Sequence, residues 1–508
     1  MQLRATRLSA IAHAVQRAIA SFSPASLFAA NEQGAFYDPS DPTTLFQDAA
    51  GTTPVTAVEQ PVGLILDKSR GLVLGPELVT NGDFSGGTTT GWTATRSSLS
   101  VSSGALVVGG TGTFPGAWQA FSTTSGRLYK ITFEIVSMGT ATTVRLAPKN
   151  GTGDAGTTVA AVDFTTTGIK TAYFFATSAT STAFVLAEQN AIVNFTIDNI
   201  SVRELPGAHA TQTTAPNRPV LSAKVNLLLN TETLSTQTVT TAATSQTLRF
   251  EGAGSITLSG TATGTYSAGA HTFTTTAGTL TLTVLGSVTR ADLRASNDGV
   301  GLPAYQRVNT ATDYDTAGFP LYLRFNGTNQ WLQTANVNFT GTDKMTVWAG
   351  VRKLSDTPPG MVFEHTSGIS GTPYFHITSA GAGSSSPDFN FLMYDAFSSQ
   401  GNFPARRATP FASPITCALS VAYNFSGTSI VEQVTPRVNA SLPTLTSTGS
   451  MAVQRNFANA PLFIGARAGT SLWFNGRIYS LIGRGAQSTT DQITQTETWV
   501  NNKTRAYS

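Results

Sequence analysis

Apolar residues recur along one side of a helix near the start of the chain. Within residues 4–22 they are spaced three, four, three and four apart, and Pro24 ends the pattern. The positions that form this stripe are Leu8, Ile11, Val15, Ala18 and Phe22. A helix this short is marginal alone in water, so it has to pack against another surface. We therefore predict that residues 1–30 anchor the chain on another protein or on its own copies, and the alternative is packing onto its own later domains.

Residues 31–75 are polar and show no sustained period. They contain turn signals at Asp38-Pro39 and Asp41-Pro42 and one apolar run at 62–66. This pattern predicts an extended arm that carries a single strand.

From residue 76 onward, apolar and polar residues alternate in short runs separated by turn residues. In residues 76–206 the runs include 129–135, 183–186 and 195–202, at the spacing of a β-sandwich. The pattern over residues 207–299 predicts a linker at 207–224, followed by a small, thin β-sandwich rich in Thr and Gly.

Residues 300–508 contain a larger set of strand patterns and are expected to form a jelly roll with a short C-terminal helix. The helix should begin after 488–490 and carry Ile493 and Trp499. The strands around Phe325 and Phe474 should pair and close the jelly roll, with Trp473 in the shared core. The predicted fold class is all-β, with tandem β-sandwich or jelly-roll domains behind a short amphipathic helix and an extended arm.

Composition argues against several classes of protein. Of 508 residues only 12% are charged, and the net charge of +3 is too balanced for a nucleic-acid binder. Cys417 is the single cysteine, which excludes an intramolecular disulfide and a cysteine-based zinc site. No apolar run reaches the length of a membrane span, and polar residues interrupt the N-terminal stripe that a signal peptide would need.

One long segment resembles structural proteins of phages and prophages. The stretches that carry this resemblance are 35–41, 45–55, 60–63 and 66–69, and then 207–212 and 218–221. In those proteins the first group runs directly into the second, so residues 76–205 are expected to be an inserted sandwich. The resemblance implies a fibre-type protein on the virion surface, assembled in the host cytoplasm.

The C-terminal part is similar to the concanavalin A-like lectin/glucanase superfamily (LamG-like domains). The matching stretches are 323–327, 331–334 and 475–482. The superfamily includes sugar binders, glycosidases and purely structural domains, so the resemblance implies a jelly roll and leaves the function open.

Residues 78–205 are similar to carbohydrate-binding modules of the jelly-roll type. The matching stretches are 78–84, Gly91-Trp92 and 195–202. This resemblance implies that Asp83 and Asp198 lie together and can hold a structural Ca²⁺, and no other cofactor is expected. The alternative is that Asp83 caps a turn and Asp198 accepts backbone hydrogen bonds.

Catalysis is not expected. Glycoside hydrolysis needs two carboxylates across one bond, and the glucanase branch carries acidic residues at alternate positions of one strand. No such run occurs, and the nearest candidates are Glu364-His365, Asp388 and Asp395. Serine-hydrolase, zinc-protease and nucleotide-binding motifs are also missing from the sequence.

Sugar binding needs an exposed aromatic face and a few fixed polar groups. The candidate glycan-binding residues are Trp118, Tyr374, His376, Tyr394 and Phe403, and each could instead be a core aromatic. Trp92, Trp348 and Trp473 lie in regular strand patterns and are expected in the core.

These observations support three functions. The first is a structural fibre or decoration protein of a tailed phage, anchored to capsid or tail by its N-terminus, with lectin-like domains displayed for host adhesion. The second is a tail receptor-binding adhesin with a true site for host-surface glycan, and the third is a polysaccharide depolymerase. A homotrimer is expected, because repetition increases avidity.

Overall fold

The computed structural model describes residues 22–367, 373–381, 386–395 and 403–508. Strands dominate these residues, which confirms the all-β fold class. Short 3₁₀ helices occupy Pro24–Leu27, Pro42–Thr44 and Ala215–Asn217. The first three strands are β1 (Gly34–Tyr37), β2 (Leu45–Phe46) and β3 (Leu64–Ile65).

The next region of the chain, residues 76–206, holds twelve strands. They are β4 (Thr93–Thr95), β5 (Ser97–Ser102), β6 (Ala105–Gly110), β7 (Gly116–Ser122), β8 (Leu128–Ser137), β9 (Val144–Leu146), β10 (Lys149–Asn150), β11 (Thr157–Thr158), β12 (Val162–Phe164), β13 (Gly168–Phe175), β14 (Thr180–Ala187) and β15 (Asn194–Leu205). Two short strands and a further set follow. They are β16 (Ala210–Thr211), β17 (Val220–Ser222), β18 (Gln237–Thr241), β19 (Thr244–Gly260), β20 (Gly264–Thr275), β21 (Gly278–Leu285) and β22 (Thr289–Ala295).

The C-terminal region holds the remaining strands and two α-helices. They are β23 (Tyr322–Asn326), β24 (Leu332–Asn338), β25 (Lys344–Lys353), β26 (Met361–His365), β27 (Tyr374–Thr378), β28 (Phe389–Tyr394), β29 (Ala405–Thr409), β30 (Ile415–Asn424), α1 (Ile430–Gln433), β31 (Val434–Val438), β32 (Thr444–Thr448), β33 (Asn459–Ile464), β34 (Asn475–Arg484) and α2 (Thr490–Thr504). No helix among the described residues is long and apolar enough to cross a membrane.

The largest unit is a sandwich of two antiparallel sheets, which we call the main sandwich. One sheet has the order β17-β23-β34-β25-β30-β31, with β1 also paired to β34. The other has the order β2-β3-β16-β24-β33-β26-β27-β28-β29-β32. Their inner faces form the largest apolar core of the described chain. Because side chains alternate along each strand, the residues between the core positions point to the outer faces of the two sheets.

The main sandwich is assembled from distant parts of the sequence. Strand β1 pairs with β34, and β3 pairs with β16 through Ile65 opposite Ala210. The predicted extended arm and the predicted linker over 207–224 are therefore wrong as separate connecting segments, because both supply strands to the two sheets of this sandwich. Their strands are two to four residues long. Such short strands give no readable alternation, and partners elsewhere in the chain stabilise them.

Buried hydrogen bonds close the junction where residues 76–206 leave and rejoin the main sandwich. Asp67 is fully buried and accepts hydrogen bonds from the backbone N–H groups of Phe36, Ser69 and Ala208, at 2.7, 2.8 and 2.7 Å. The Asp67 N–H in turn donates to Nδ1 of His209, 2.9 Å away. Burial lowers the pKa of His209, so this imidazole is neutral and can accept the bond.

Residues 76–206 form a second sandwich, the inserted sandwich. Its sheets have the orders β13-β8-β15-β6-β5 and β11-β10-β14-β7-β4, with β9 and β12 attached to the second. The two sheets enclose a separate apolar core. The two ends of the unit meet, since the Leu78 N–H donates to the Val202 carbonyl over 3.0 Å.

The Thr/Gly-rich region forms one five-stranded sheet of order β18-β21-β19-β20, with β22 along β19. The 17-residue strand β19 pairs with three partners, β20, β21 and β22, and the region has its own apolar core. A buried ion cluster fixes the sheet to the main sandwich. Asp298 Oδ1 lies 2.5 Å from Nη1 of Arg477 and 3.4 Å from Nε of Arg352.

Helix α2 covers the outer face of the β34-containing sheet, as the capping cluster predicted. Thr489 caps its first turn, and Trp499 packs edge-on against Phe36 with ring centroids 5.3 Å apart. A Cβ on Gly350 would lie 2.5 Å from the Thr504 side chain, so the helix sits close to the sheet there. Phe22, where the described chain begins, packs into the same cluster.

The expected closure of the jelly roll is confirmed, with one correction. Strands β23 and β34 pair with Phe325 opposite Gly476. Phe474 is fully buried against Phe325, whereas Trp473 is only partly buried and lies outside the core. The prediction that Trp473 fills the core is wrong, because alternation places adjacent residues on opposite sides and the buried position belongs to Phe474.

Candidate functional site

Polar and aromatic side chains gather on the outer face of the ten-stranded sheet. Phe363, Phe375 and Met393 point into the core, so their strand neighbours point outward. Strand pairing places Glu364 opposite His376 and Tyr374 opposite Tyr394. Arg467, which follows β33, reaches over the same face. We call Glu364, Tyr374, His376, Tyr394 and Arg467 the aromatic cluster.

The charged centre of the cluster is a buried Glu–Arg pair. Arg467 Nε lies 3.4 Å from Glu364 Oε1, and the Ala468 N–H donates to Glu364 Oε2 over 3.0 Å. Burial raises the pKa of Glu364 to about 7, and Arg467 only partly offsets this. Near neutral pH the carboxyl group therefore exists in both protonation states, so it can donate or accept a hydrogen bond.

His376 contributes a buried ring N–H that no described residue satisfies. It is 2% exposed, and its Nδ1 lies 3.3 Å from Nη2 of Arg467. Burial, together with the neighbouring Arg467, holds the pKa of His376 well below its usual range, so the ring is neutral. Because Nδ1 accepts from Arg467, the proton resides on Nε2, and that N–H has no partner among the described residues. A buried donor of this kind is costly unless a ligand or water satisfies it.

The two tyrosines form the aromatic part of the cluster. Their rings stack with centroids 4.8 Å apart and planes at 29°. Burial raises the pKa of Tyr374 to about 12, so its hydroxyl stays protonated and can donate. Tyr374 is buried, while Tyr394 and Arg467 remain partly exposed. Stacked rings beside fixed donors and acceptors can bind a polar ligand that also has an apolar face.

Of the five predicted glycan-binding residues, the structure brings three together. Phe403 is 39% exposed and lies beside Gly449, next to the β29–β32 pair. Trp118 belongs to the inserted sandwich, where it packs with Phe184 on the outer face of the sheet that contains β7 and β14. Phe403 and Trp118 therefore lie apart from each other and from the remaining three, and only Tyr374, His376 and Tyr394 share a face.

Arg467 is the member of the cluster that the sequence did not reveal. It lies in the connection between β33 and β34, far in sequence from the strands it contacts, and no local pattern indicates its direction. The sequence indicates Glu364 only as a candidate acid for catalysis. The strand alternation that puts Tyr374 and His376 on one face applies equally to Glu364 across the ladder.

The two predicted calcium ligands lie close to each other. Asp198 has a raised pKa, first because of burial and further because of the negative charges of Glu134 and Asp83. Asp83 is exposed and accepts a hydrogen bond from the Ser85 hydroxyl over 3.0 Å, while Asp198 accepts one from the Asn199 N–H over 2.7 Å. Throughout the described ranges, no three acidic, His or Cys side chains are grouped as metal ligands would be. Calcium binding stays a prediction.

The predicted anchor falls mostly on residues of which nothing is described. Leu8, Ile11 and Val15 lie outside the described residues. Phe22 is described, and it packs beside α2 on the main sandwich. The anchoring role of the stripe therefore stays a prediction.

No protein family matches the sequence, and no curated protein is similar enough to count as a relative. A solved structure titled "CBM4 structure and function" is 15% identical, with 25% of this chain and 99% of its own length covered and a TM-score of 0.21.

Two toxin domains also resemble parts of the chain. The binding domain of Paraclostridial Mosquitocidal Protein 1 is 14% identical, covers 36% of this chain and 43% of its own length, and has a TM-score of 0.24. The binding domain of botulinum neurotoxin serotype G is 10% identical, covers 41% and 49%, and has a TM-score of 0.27. The chain thus spans less than half of either toxin domain. All three TM-scores are below 0.5.

Proposed function

We propose that the protein is a non-enzymatic fibre or decoration protein of a tailed bacteriophage, which binds a host-surface saccharide through the aromatic cluster of its main sandwich. The observation that carries the binding role is the Nε2–H of buried His376, which has no partner among the described residues and lies beside the stacked Tyr374 and Tyr394 rings. A sugar ring offers an apolar face for an aromatic ring and hydroxyl groups for nearby donors and acceptors.

The contacts of Glu364 favour binding without cleavage. A glycosidase needs two carboxyl groups about 5–9.5 Å apart. Among the described residues, Arg467 forms the ion pair with Glu364, the Ala468 N–H donates to it, and no carboxylate contributes to its pKa shift. The stretches 368–372, 382–385 and 396–402 contain neither Asp nor Glu. Within the aromatic cluster one carboxyl group therefore faces one guanidinium group, an arrangement that suits recognition.

The attachment to a phage particle rests on the sequence resemblance of residues 35–69 and 207–221. Contacts within the main sandwich support this part of the proposal, because the two halves pair directly through β3 and β16. Residues 76–206 then project from that junction as an insertion. The N-terminal stripe serves as the anchor to capsid or tail, and three copies of the chain assemble together.

Glycan binding is tested on an array of bacterial surface saccharides with the purified full chain. We expect signals that fall at least about tenfold in Tyr394→Ala, because that ring is the exposed part of the stacked pair. Trp118→Ala serves as the matched control and should retain them. A chain that binds no saccharide refutes the binding role, and loss in Trp118→Ala alone moves the site to the inserted sandwich.

The anchor is tested by deleting residues 1–21, which leaves the packed segment from Phe22 onward intact. We expect the shortened chain to melt like the parent and to be absent from assembled particles. Copurification with particles at the parental level would contradict the anchoring role. The mass of the purified parent should be that of three chains, and a monomer at micromolar concentration would contradict the trimer.

A further inference from the structure

Two adjoining clefts lie where the inserted sandwich meets the main sandwich. The first has a volume of about 750 Å³ and is lined from both units. The second has a volume of about 790 Å³. Arg70 and Arg127 line both clefts, so they stand at the boundary between them. These volumes lie within the usual range of ligand pockets, which often form at domain interfaces.

The first cleft is positively charged, and the described residues that line it include no Asp or Glu. Its charged side chains are Arg70 and Arg127, and the nearby His209 is held neutral by burial. Arg127 reaches Glu204 only at 3.9 Å, and Glu204 lines the second cleft. Arg70 forms no ion pair within the described ranges. A guanidinium fork of this kind is suited to bind a carboxylate through two parallel hydrogen bonds.

The rest of the lining matches the uncharged parts of a saccharide. Asn336 and Asn338 are exposed on β24 and each offers donors and acceptors, and Thr340 adds a hydroxyl. Phe175 of the inserted sandwich lines the same cleft and is partly exposed, so its ring can pack on the apolar face of a sugar.

We propose that this interdomain cleft binds an oligosaccharide that carries carboxylate groups, with Arg70 and Arg127 holding a carboxylate between the two clefts. A single small anion would use the arginines alone. A chain of acidic sugars also uses the amide, hydroxyl and aromatic groups on either side. The site shares no residue with the aromatic cluster, so each can fail without the other.

The test is calorimetric titration of the full chain with tetragalacturonate, an uncharged maltotetraose and inorganic phosphate. We expect binding of tetragalacturonate that weakens with added salt. The double variant Arg70→Gln/Arg127→Gln should lose at least about tenfold in affinity. Arg249→Gln, an exposed arginine of the five-stranded sheet, is the matched control and should bind like the parent.

Three results would overturn the proposal. They are equal affinity in the double variant, equal binding of maltotetraose, and binding of phosphate as tight as that of tetragalacturonate, which would mark a general anion site. Melting curves exclude misfolding of the double variant. The single variant Arg70→Gln repeats the test at a side chain that forms no ion pair with any described residue. Tyr394→Ala should leave tetragalacturonate binding unchanged, which separates this site from the aromatic cluster.

Discussion

Replacing Phe474 with alanine tests how the main sandwich is closed. The side chain is 0% exposed and its ring lies 6.2 Å from that of Phe325. The backbone bonds of residue 474, a donated bond to the Gly465 carbonyl at 2.9 Å and an accepted bond from the Gly327 N–H at 3.0 Å, persist in the variant. The loss is therefore one of packing, which for a buried aromatic ring costs about 3–5 kcal/mol.

Trp473 provides the comparison within the same segment. Its side chain is only partly buried, so Trp473→Ala should cost about 1–2 kcal/mol, clearly less than the full value for a buried aromatic. In differential scanning calorimetry we expect Phe474→Ala to lower the transition of the main sandwich by roughly 10 °C, at about 2–4 °C per kcal/mol. The transition of the inserted sandwich should stay within a few degrees, because it has its own core. A Phe474→Ala protein that melts like the parent, or a larger loss in Trp473→Ala, would refute the reasoning.

Three further predictions concern buried polar groups. Asp67→Ala leaves three buried N–H groups without an acceptor and should lower the free energy of unfolding, measured by thermal melting, by about 3–6 kcal/mol. Asp67→Asn keeps an acceptor oxygen and should lower it by less. Asp298→Ala leaves the buried Arg352 and Arg477 without their shared carboxylate and should lower the free energy of unfolding by about 3–5 kcal/mol. The control Glu251→Ala removes the exposed ion pair with Arg290 and should lower it by under about 1 kcal/mol. Glu364 keeps its proton to about pH 7 when folded but releases it near its ordinary pKa of 4.5 when unfolded, so stability falls as pH rises through that window. The free energy of unfolding of Glu364→Gln should therefore rise relative to that of the parent by about 3 kcal/mol as the pH increases from about 4.5 to about 8. A difference that does not depend on pH would contradict the raised pKa.

The strand alternation and the helix cap were predictable because both depend on neighbouring residues. The period-two runs located the long strands, and Thr489 fixed the start of α2. The integration of residues 31–75 was not predictable from its pattern, since β2 and β3 have two residues each and are stabilised by β16. Only the resemblance of two separated stretches indicated that the chain returns there.

Part of the candidate site was predictable because strand alternation depends only on neighbouring residues. Tyr374 and His376 share a face because they are two positions apart in one strand, and Tyr394 joins them through the ladder. Arg467 reaches this face from a connection between strands, so its contact depends on the tertiary fold. The sequence pattern also could not show which of Trp473 and Phe474 is buried, because a shift by one residue exchanges the buried and exposed sides of a strand.

The most direct test of the central claim is calorimetric titration with the saccharide that the array selects, followed by mass spectrometry of the same sample. We expect saturable binding by the full chain, at least about tenfold weaker in Tyr394→Ala, and recovery of the saccharide at its original mass. Shortened products from the parent protein, absent in Glu364→Gln, would show that the cluster cleaves its ligand. Affinity unchanged by Tyr394→Ala would show that the saccharide binds elsewhere, and either result would contradict a non-enzymatic saccharide site at the aromatic cluster.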